Sequence, residues 1–199
     1  MPPRELAPGV PADRPVRVAG VAGSLRRASF NRGLLRAAVE SAPEGMTIEP
    51  LEIRDLPHYD ADLDVDGGPE VVREFKARII AADGLLIATP EYNYSMSGVL
   101  KNALDWASRA PERAMQNKPV AIMGATPGRW GTVRSQMALR QMLVFPGCRV
   151  LPTPLLQIAG AREHFDADGN LTDAAAREQV VSLLEAFATW IRQVELPRS

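Results

Sequence analysis

Residues 84–90 read Gly-Leu-Leu-Ile-Ala-Thr-Pro, an almost entirely apolar run. A short run of this kind, without polar alternation, is typical of a strand covered by helices on both faces of a parallel sheet. A polar loop follows it, and a helical stretch begins near residue 99. This order predicts the central strand of an α/β sheet.

The same order of strand, loop and helix occurs five times along the chain. The other four predicted strands are residues 16–21, 46–53, 119–125 and 148–158. Proline cannot donate a backbone hydrogen bond, so Pro50 predicts an edge position for the second strand. Right-handed crossovers and short loops then predict a five-stranded parallel sheet in the order 2-1-3-4-5. With helices on both faces, the fold class is a three-layer α/β sandwich.

The length of 199 residues suits one domain. Residues 1–14 are rich in proline and poor in apolar side chains, which predicts a mobile tail. Residues 15–199 are then predicted to form a single domain. The strand predicted over 148–158 is interrupted by two prolines.

The charge balance and the cysteine content narrow the function classes. The formal net charge is −1, and a nucleic-acid partner would need a clustered basic surface instead. No apolar run approaches the roughly 20 residues that span a membrane. Cys148 is the only cysteine, which excludes an intramolecular disulfide and fits a reducing compartment. Without an apolar stretch for a secretory signal, the expected location is the cytoplasm.

Polar loops follow three neighbouring strands of the predicted sheet. In such sheets, ligands bind beyond the carboxyl ends of the strands, where the strand order reverses. For the order 2-1-3-4-5 this point lies between the first and third strands. The loops over 22–31, 90–97 and 126–131 follow strands one, three and four. We therefore predict that these loops meet and form a binding site.

The loop over 22–31 can bind an anion. Backbone N–H groups at a helix N-terminus favour negative charge. Ser24, Ser29 and Asn31 add hydrogen-bond donors, and Arg26 adds a permanent positive charge. An ordinary turn with Ser29 as the helix N-cap is the alternative explanation. The loop has neither the Gly-Lys-Ser/Thr of a P-loop nor the spacing of a dinucleotide-binding glycine motif.

The loop over 90–95 reads Pro-Glu-Tyr-Asn-Tyr-Ser. Its two tyrosines can face a flat ring, and its backbone amides can bind ring carbonyls. A tight turn whose tyrosines cover the end of the sheet explains the same residues. Both explanations stay open from the residues alone.

Metal binding is not expected. The segment Asp166-x-Asp168-x-Asn170 begins like a calcium loop. Leu171 and Arg177 stand where such a loop needs glycine and glutamate, so the segment predicts a turn ahead of the last helix.

Three segments together resemble the NAD(P)H-dependent FMN reductase family, which includes quinone, chromate and azo-dye reductases. They are Gly23-Ser24-Leu25-Arg26-x-x-Ser29-x-Asn31, Thr89-Pro90-Glu91-Tyr92-Asn93 and Gly98-x-Leu100-Lys101-Asn102-Ala103-Leu104-Asp105-Trp106. The resemblance covers about residues 16–190. It implies a flavodoxin-like fold, non-covalently bound FMN and NAD(P)H as electron donor. The implied activity is reduction of a small acceptor such as a quinone, an azo compound, a metal oxyanion or free flavin.

The resemblance also implies which residues bind the cofactor. The FMN phosphate would be bound by Ser24, Arg26, Ser29 and Asn31. The isoalloxazine ring would be lined by Pro90, Glu91, Tyr92 and Asn93, with Tyr94 at the pocket or at a subunit contact. The other side of the ring would be flanked by Thr126, Gly128 and Gly131. Pro127 and Trp130 depart from the Gly-Gly step that is common in the family. No catalytic acid or base is predicted, because the cofactor carries the redox chemistry.

Family members are commonly homodimers or homotetramers, so the resemblance implies subunit contacts, with the helices over 99–110 and 131–145 as candidates. An apolar helical face that packs on the sheet explains the same residues. A non-catalytic FMN electron carrier or a flavin redox sensor is the alternative function. Carriers usually present an acidic docking face, and a net charge of −1 argues against one. Negligible direct oxidation of NAD(P)H would identify a carrier.

Overall fold

A computed structural model describes residues 6–7, 10–11, 13–194 and 196–197. The predicted tail over 1–14 falls partly outside these residues. Within it, Val10 is buried, and the guanidinium of Arg14 binds the carboxylate of Asp83. Leu6–Ala7 pairs antiparallel with Leu196–Pro197. The described part of this segment therefore packs against the rest of the chain, and the division into a tail and one domain stays a prediction.

Within the described part of the chain, six strands form a parallel sheet. They are β1 Val16–Ala22, β2 Met46–Leu51, β3 Gly84–Ala88, β4 Pro119–Ala125, β5 Arg149–Val150 and β6 Leu156–Ile158. The order is β2-β1-β3-β4, and both β5 and β6 pair with β4 on its free side. The predicted order 2-1-3-4-5 is confirmed, with β2 and its Pro50 at the edge. The fifth strand, predicted over 148–158 with an interruption at its two prolines, is present as two separate pieces. Pro152 and Pro154 have no N–H for the ladder, and the segment splits into two short strands.

The two faces of this sheet are covered by five α-helices among the residues that the structure describes. They are α1 Phe30–Glu40, α2 Glu70–Ala81, α3 Gly98–Ser108, α4 Val133–Leu143 and α5 Ala174–Gln193. Side chains of β3 alternate between the two cores: Leu86 and Ala88 pack with α1 and α5, whereas Leu85 and Ile87 pack with the other three helices. All four are fully buried. The predicted flavodoxin-like three-layer fold is confirmed, and none of the described helices is long and apolar enough to cross a membrane.

The first two polar loops are joined at the carboxyl ends of β1 and β3. The backbone N–H of Gly23 donates to the carbonyl of Ala88 at 2.8 Å. The hydroxyl of Ser97, which caps α3, donates to the carbonyl of Gly23 at 2.6 Å. A Cβ on Gly23 would lie 2.9 Å from the side chain of Leu100 and 3.0 Å from Pro90. Glycine therefore lets the two loops approach closely enough to share one site.

Candidate functional site

A cleft of about 540 Å³ opens at the carboxyl ends of the central strands. It is lined by eight of the predicted site residues: Ser24, Arg26, Ser29, Asn31, Pro90, Glu91, Tyr92 and Thr126. The other four predicted residues lie nearby without lining it: Asn93, Tyr94, Gly128 and Gly131. We call the part formed by Ser24, Arg26, Ser29 and Asn31 the anion end. The part formed by Pro90, Glu91, Tyr92 and Thr126 is called the ring end.

The anion end is built on the first turn of α1. The hydroxyl of Ser29 accepts the N–H of Arg32 at 3.5 Å, so the predicted N-cap is confirmed and the hydroxyl hydrogen remains able to donate. The N–H groups of Phe30 and Asn31 have no acceptor within the helix, as at any helix start. The guanidinium carbon of Arg26 lies 5.2 Å from the centre of the Phe30 ring. These donors point to an anionic ligand.

Asn31 is also a structural residue. Its amide nitrogen donates to the carbonyl of Ala125 at 2.9 Å, and its amide oxygen accepts the N–H of Ala125 at 3.0 Å. The side chain is buried and fastens the start of α1 to the end of β4. One amide hydrogen is left for a ligand.

The loop over 90–95 ends in a tight turn. Tyr92 and Ser95 exchange two backbone hydrogen bonds of 2.9 Å, and Asn93 and Tyr94 between them have φ angles of 50° and 67°. Two left-handed central residues are typical of a type I′ turn. The turn directs its tip towards solvent, and Tyr94 is 71% exposed. Asn93 and Tyr94 therefore lie at the rim of the cleft, whereas Tyr92 lines it.

Glu91 fixes this loop to the start of α4. Thr132 precedes α4 in a left-handed conformation and provides no side-chain cap. The carboxylate of Glu91 instead accepts the N–H of Arg134 at 2.9 Å and that of Ser135 at 3.2 Å. It also accepts from the Arg134 guanidinium at 2.9 Å. A carboxylate from another loop thus supplies the cap and the negative charge that a helix N-terminus favours.

Arg134 extends this connection to two exposed aromatic residues. Its guanidinium carbon lies 4.0 Å from the centre of the Tyr94 ring and 5.1 Å from that of Trp130. We call Glu91, Tyr94, Trp130 and Arg134 the loop clamp. Trp130, which departs from the family pattern, therefore packs in the clamp on the outside of the cleft.

Two buried hydroxyl groups hold the backbone next to the loop clamp. The hydroxyls of Thr89 and Ser135 lie 2.7 Å apart, and Ser135 donates to the carbonyl of Pro90 at 2.8 Å. Both side chains are fully buried. The backbone at the ring end is consequently held in place by bonds inside the protein.

The third loop is joined to the segment after β6. The N–H of Thr126 donates to the carbonyl of Ile158 at 3.0 Å, and the N–H of Ala161 donates to the carbonyl of Thr126 at 3.0 Å. Gly131 has a φ of 56°, and a Cβ there would meet the carbonyl oxygen of Gln157 at 2.8 Å. The need for glycine at 131 therefore comes from packing against the neighbouring chain segment. Ring contacts from Gly128 and Gly131 stay a prediction.

A fourth segment, not predicted from the sequence, also lines the cleft. It contributes Arg162, Phe165, Asp166 and Ala167. The predicted turn is present here: the Asp166 carboxylate accepts the N–H groups of Asp168 at 3.0 Å and Asn170 at 2.8 Å. Hydrogen bonds from Asn170 are the largest cause of a lowered pKa at Asp166. The aspartate pattern marked this segment, but only local spacing was visible in the sequence, and its position beside the first loop was not.

The cysteine side chain does not line the cleft. Cys148 is part-buried with its sulfur 3.2 Å from the carbonyl of Met115, and burial raises the pKa of this thiol to about 12. It is therefore protonated at neutral pH and is no nucleophile. Within the part of the chain that the structure describes, no group of three or more His, Cys, Asp or Glu side chains could hold a metal ion.

The residues fit a cofactor with a phosphate at one end and a planar ring at the other. The anion end offers hydroxyl, amide and guanidinium donors, and Tyr92 borders the ring end with its flat side chain. The volume lies within the range of pockets that hold ligands of this size, roughly 300–1,000 Å³.

Comparisons with known proteins agree with this geometry. The model of a family described as NADPH-dependent FMN reductase matches residues 16–163. An NAD(P)H-dependent FMN reductase of Pseudomonas aeruginosa is 48% identical over 179 residues, which cover 90% of this chain and 97% of that protein. A 2-hydroxy-1,4-benzoquinone reductase from Burkholderia is 42% identical, with 89% and 97% covered. The solved structure of FerB, a flavoenzyme NAD(P)H:(acceptor) oxidoreductase from Paracoccus denitrificans, matches with a TM-score of 0.82 at 36% identity, covering 91% of this chain and all of that one.

Proposed function

This chain belongs to the family of NADPH-dependent FMN reductases, and we propose that it passes electrons from NAD(P)H through FMN in the cleft to a quinone. It is an oxidoreductase that uses FMN and NAD(P)H. The observation that carries the proposal is the cleft itself, which lies where the strand order reverses. It contains both the anion end, with the positively charged Arg26, and the ring end.

The anion end would hold the FMN phosphate. Ser24 and Ser29 donate hydroxyl hydrogens, Arg26 supplies a permanent charge, and the free N–H groups of the first turn of α1 complete the donor set. Asn31 would contribute its remaining amide hydrogen while it keeps α1 against β4.

The ring end would place the isoalloxazine between the loops over 90–95 and 126–131. FMN, when bound there, supplies the hydride-accepting and electron-donating chemistry. Pro90 and Tyr92 line the cleft, whereas the Glu91 carboxylate is turned to α4 and acts on the position of the loop. Asn93 and Tyr94 border the open side, and Gly128 and Gly131 shape the third loop. No side chain of this set needs to transfer a proton for the cofactor to be reduced.

A quinone is the acceptor class that the cleft and the relatives support together. Relatives at 42–45% identity are named 2-hydroxy-1,4-benzoquinone reductase and NADPH:quinone oxidoreductase. Tyr92 is 54% exposed while lining the cleft, so its ring offers a flat surface at the entrance. A planar quinone can pack on such a surface. Reoxidation of the flavin by an azo compound, a metal oxyanion or free flavin, but not by a quinone, would assign a different acceptor class.

Assembly into a homodimer or homotetramer is proposed from the surface of α4. Large apolar side chains are exposed along it and just beyond its end: Val133, Met137, Val144 and Phe145. Phe145, at 85% exposed, also borders a groove between α3 and α4. A second copy covering this face would remove it from water. We also propose a cytoplasmic location, which the single cysteine fits.

The test begins with the purified protein, FMN and desalting. Retained flavin absorbance that bleaches with NADPH or NADH under anaerobic conditions, and returns when a benzoquinone is added, supports the proposal. Retained flavin that both nucleotides leave oxidised would favour an electron carrier or a sensor. Loss of all flavin on desalting, with no NAD(P)H oxidation in the presence of excess FMN, would contradict the proposed function.

A further inference from the structure

Arg162 lines the cleft and has no partner among the residues that the structure describes. It follows β6 in a short 3-10 turn, Ala161–Glu163, and its side chain is exposed. Across residues 6–7, 10–11, 13–194 and 196–197, nothing forms a hydrogen bond or ion pair with this guanidinium. Other arginines on this side are paired: Arg32 with Glu52, Arg36 with Asn170 and Arg177 with Glu40. An unpaired guanidinium lining a binding cleft is available to a ligand.

The backbone fixes where Arg162 stands. The N–H of Ala161 donates to Thr126, and the fully buried Ala161 side chain anchors the turn. Three residues after Arg162, the ring of Phe165 lies 5.1 Å from that of Phe30, centre to centre. The guanidinium carbon of Arg26 in turn lies 5.2 Å from the centre of the Phe30 ring. The segments that carry Arg26 and Arg162 are therefore in contact, and both arginines line the cleft.

The carboxylates of the cleft do not neutralise Arg162 through direct contact. Glu91 is engaged by Arg134 and the start of α4. Asp166 directs its oxygens to the N–H groups of Asp168 and Asn170 and to the Asn170 amide. Each of the two carboxylates accepts three hydrogen bonds from other groups, whereas Arg26 and Arg162 donate none within the described residues.

We propose that Arg162 is a second phosphate-binding arginine of the cleft, which acts together with Arg26 on the phosphoryl groups of the bound nucleotides. The inference rests on the proposed function. Its ligand chemistry has two sources, the phosphate monoester of FMN and the phosphate groups of NAD(P)H. Arginine suits either one, because its planar group binds two oxygens of a phosphate at once.

The experiment compares Arg162→Ala and Arg162→Lys with the wild-type protein. Arg27→Ala is the matched control, since Arg27 is an exposed arginine of the first loop that does not line the cleft. Dissociation constants of the flavin-free proteins are measured by fluorescence quenching for FMN and for riboflavin, which has the ring without the phosphate. Steady-state KM and kcat are then measured with NADPH, with NADH and with reduced nicotinamide mononucleotide.

A role at the FMN phosphate predicts that Arg162→Ala weakens FMN roughly tenfold and leaves riboflavin binding unchanged, since one charge-assisted contact is lost. A role at the dinucleotide predicts an unchanged FMN constant and a similar rise in KM for NADPH or NADH, with kcat unaffected. Reduced nicotinamide mononucleotide keeps the phosphate on the nicotinamide side, so its KM rises as well if Arg162 binds that phosphate and stays unchanged if Arg162 binds a phosphate on the adenosine side. In either case Arg162→Lys recovers part of the loss because it keeps the charge. Higher salt reduces the difference between variant and wild type.

The inference is overturned if Arg162→Ala and Arg27→Ala both stay within twofold of the wild type in every measurement. Wild-type protein that binds FMN and oxidises NAD(P)H in those same assays shows that only the role of Arg162 has failed. Wild-type protein that does neither overturns the proposed function and this inference together. Unchanged circular dichroism and melting temperature of the variants exclude a folding defect as the cause of any loss.

Discussion

The anion end and the ring end of the cleft are built in opposite ways. At the anion end, Arg26 has no hydrogen bond or ion pair within the described residues and Ser29 makes only one long contact, whereas Asn31 is bonded to the backbone of Ala125. Arg162, which lines the same cleft, is likewise unpaired among those residues. At the ring end, Glu91 and the buried hydroxyls under Pro90 are all bonded within the protein. The first end keeps side chains free for a charged group, whereas the second fixes the shape of a loop.

This difference separates affinity from stability. Unpaired hydrogen-bond donors hardly lower the stability of the ligand-free protein, because water solvates them. They form stronger, charge-assisted hydrogen bonds when a phosphate replaces the water. Bonded groups at the ring end contribute to folding before any ligand arrives. We therefore expect substitutions at the anion end to change binding and substitutions in the loop clamp to change stability first.

The largest effect is expected from Glu91→Ala. The change removes a cap and leaves Arg134 and two N–H groups of α4 without their acceptor, which lowers the free energy of unfolding by about 2–3 kcal/mol. Urea denaturation of the flavin-free protein measures it. Glu52→Ala, which breaks an exposed ion pair with Arg32, is the control and is expected to cost at most about 1 kcal/mol. Equal costs in the two variants would remove the special role of the loop clamp.

The second-largest effect is expected from Arg26→Ala, and it concerns the affinity for FMN instead of the stability of the fold. Loss of one charge-assisted phosphate contact weakens FMN binding about 10- to 30-fold. The free energy of unfolding of the flavin-free protein stays within about 0.5 kcal/mol of wild type, as for most exposed positions. Flavin fluorescence titration and urea denaturation measure the two quantities. An unchanged FMN affinity would remove Arg26 from the site, and a large loss of stability would contradict the contrast between the two ends.

A smaller effect concerns Asp166, whose turn borders the anion end. Its pKa is lowered in the folded protein by hydrogen bonds from Asn170. The stabilisation from its charged form is complete above the ordinary carboxyl pKa of about 3.9 and is lost as the pH falls through the lowered value. Melting temperatures between pH 6 and pH 2 should therefore show Asp166→Asn below the wild type at pH 6, with the gap closing in acid. A gap that widens in acid would contradict this assignment.

The smallest effect is expected from Trp130→Ala. The substitution removes one of the two rings beside Arg134 and lowers the free energy of unfolding by about 0.5–1 kcal/mol, the range of exposed cation–π contacts. Tyr94→Ala removes the nearer ring and is the comparison. Their double variant should lose less than the sum of the two single losses if both rings act through the same guanidinium. Strict additivity would mean that the rings act independently.

The sequence predicts the sheet and the place of the site because both depend on local patterns. Apolar runs identify the strands, Pro50 identifies the edge, and Ser29 identifies the start of α1. The extent of the fifth strand is harder to predict, since the pattern over 148–158 does not tell which residues on either side of the prolines pair with β4. Its division into β5 and β6 is decided by pairing with a distant strand.

The direction of side chains within the site could not be predicted in the same way. Glu91 is predicted at the ring and lines the cleft, but the sequence does not indicate that its carboxylate also caps α4, where the left-handed Thr132 provides no side-chain cap. Arg162 was missed because it is 136 positions after Arg26, and only the fold brings their segments together. Long-range contacts of this kind carry no local sequence signal.

The capping of α4 by Glu91 has a consequence for the behaviour of the protein in solution. The helix begins at the loop clamp and presents its exposed apolar side chains along the face proposed for assembly. Flavin retention and subunit association would then act on one and the same helix, and a coupling between two binding events is reciprocal. If a bound flavin and a neighbouring subunit both favour the same placement of α4, dilution should weaken flavin binding, and added flavin should shift the association equilibrium towards the larger species.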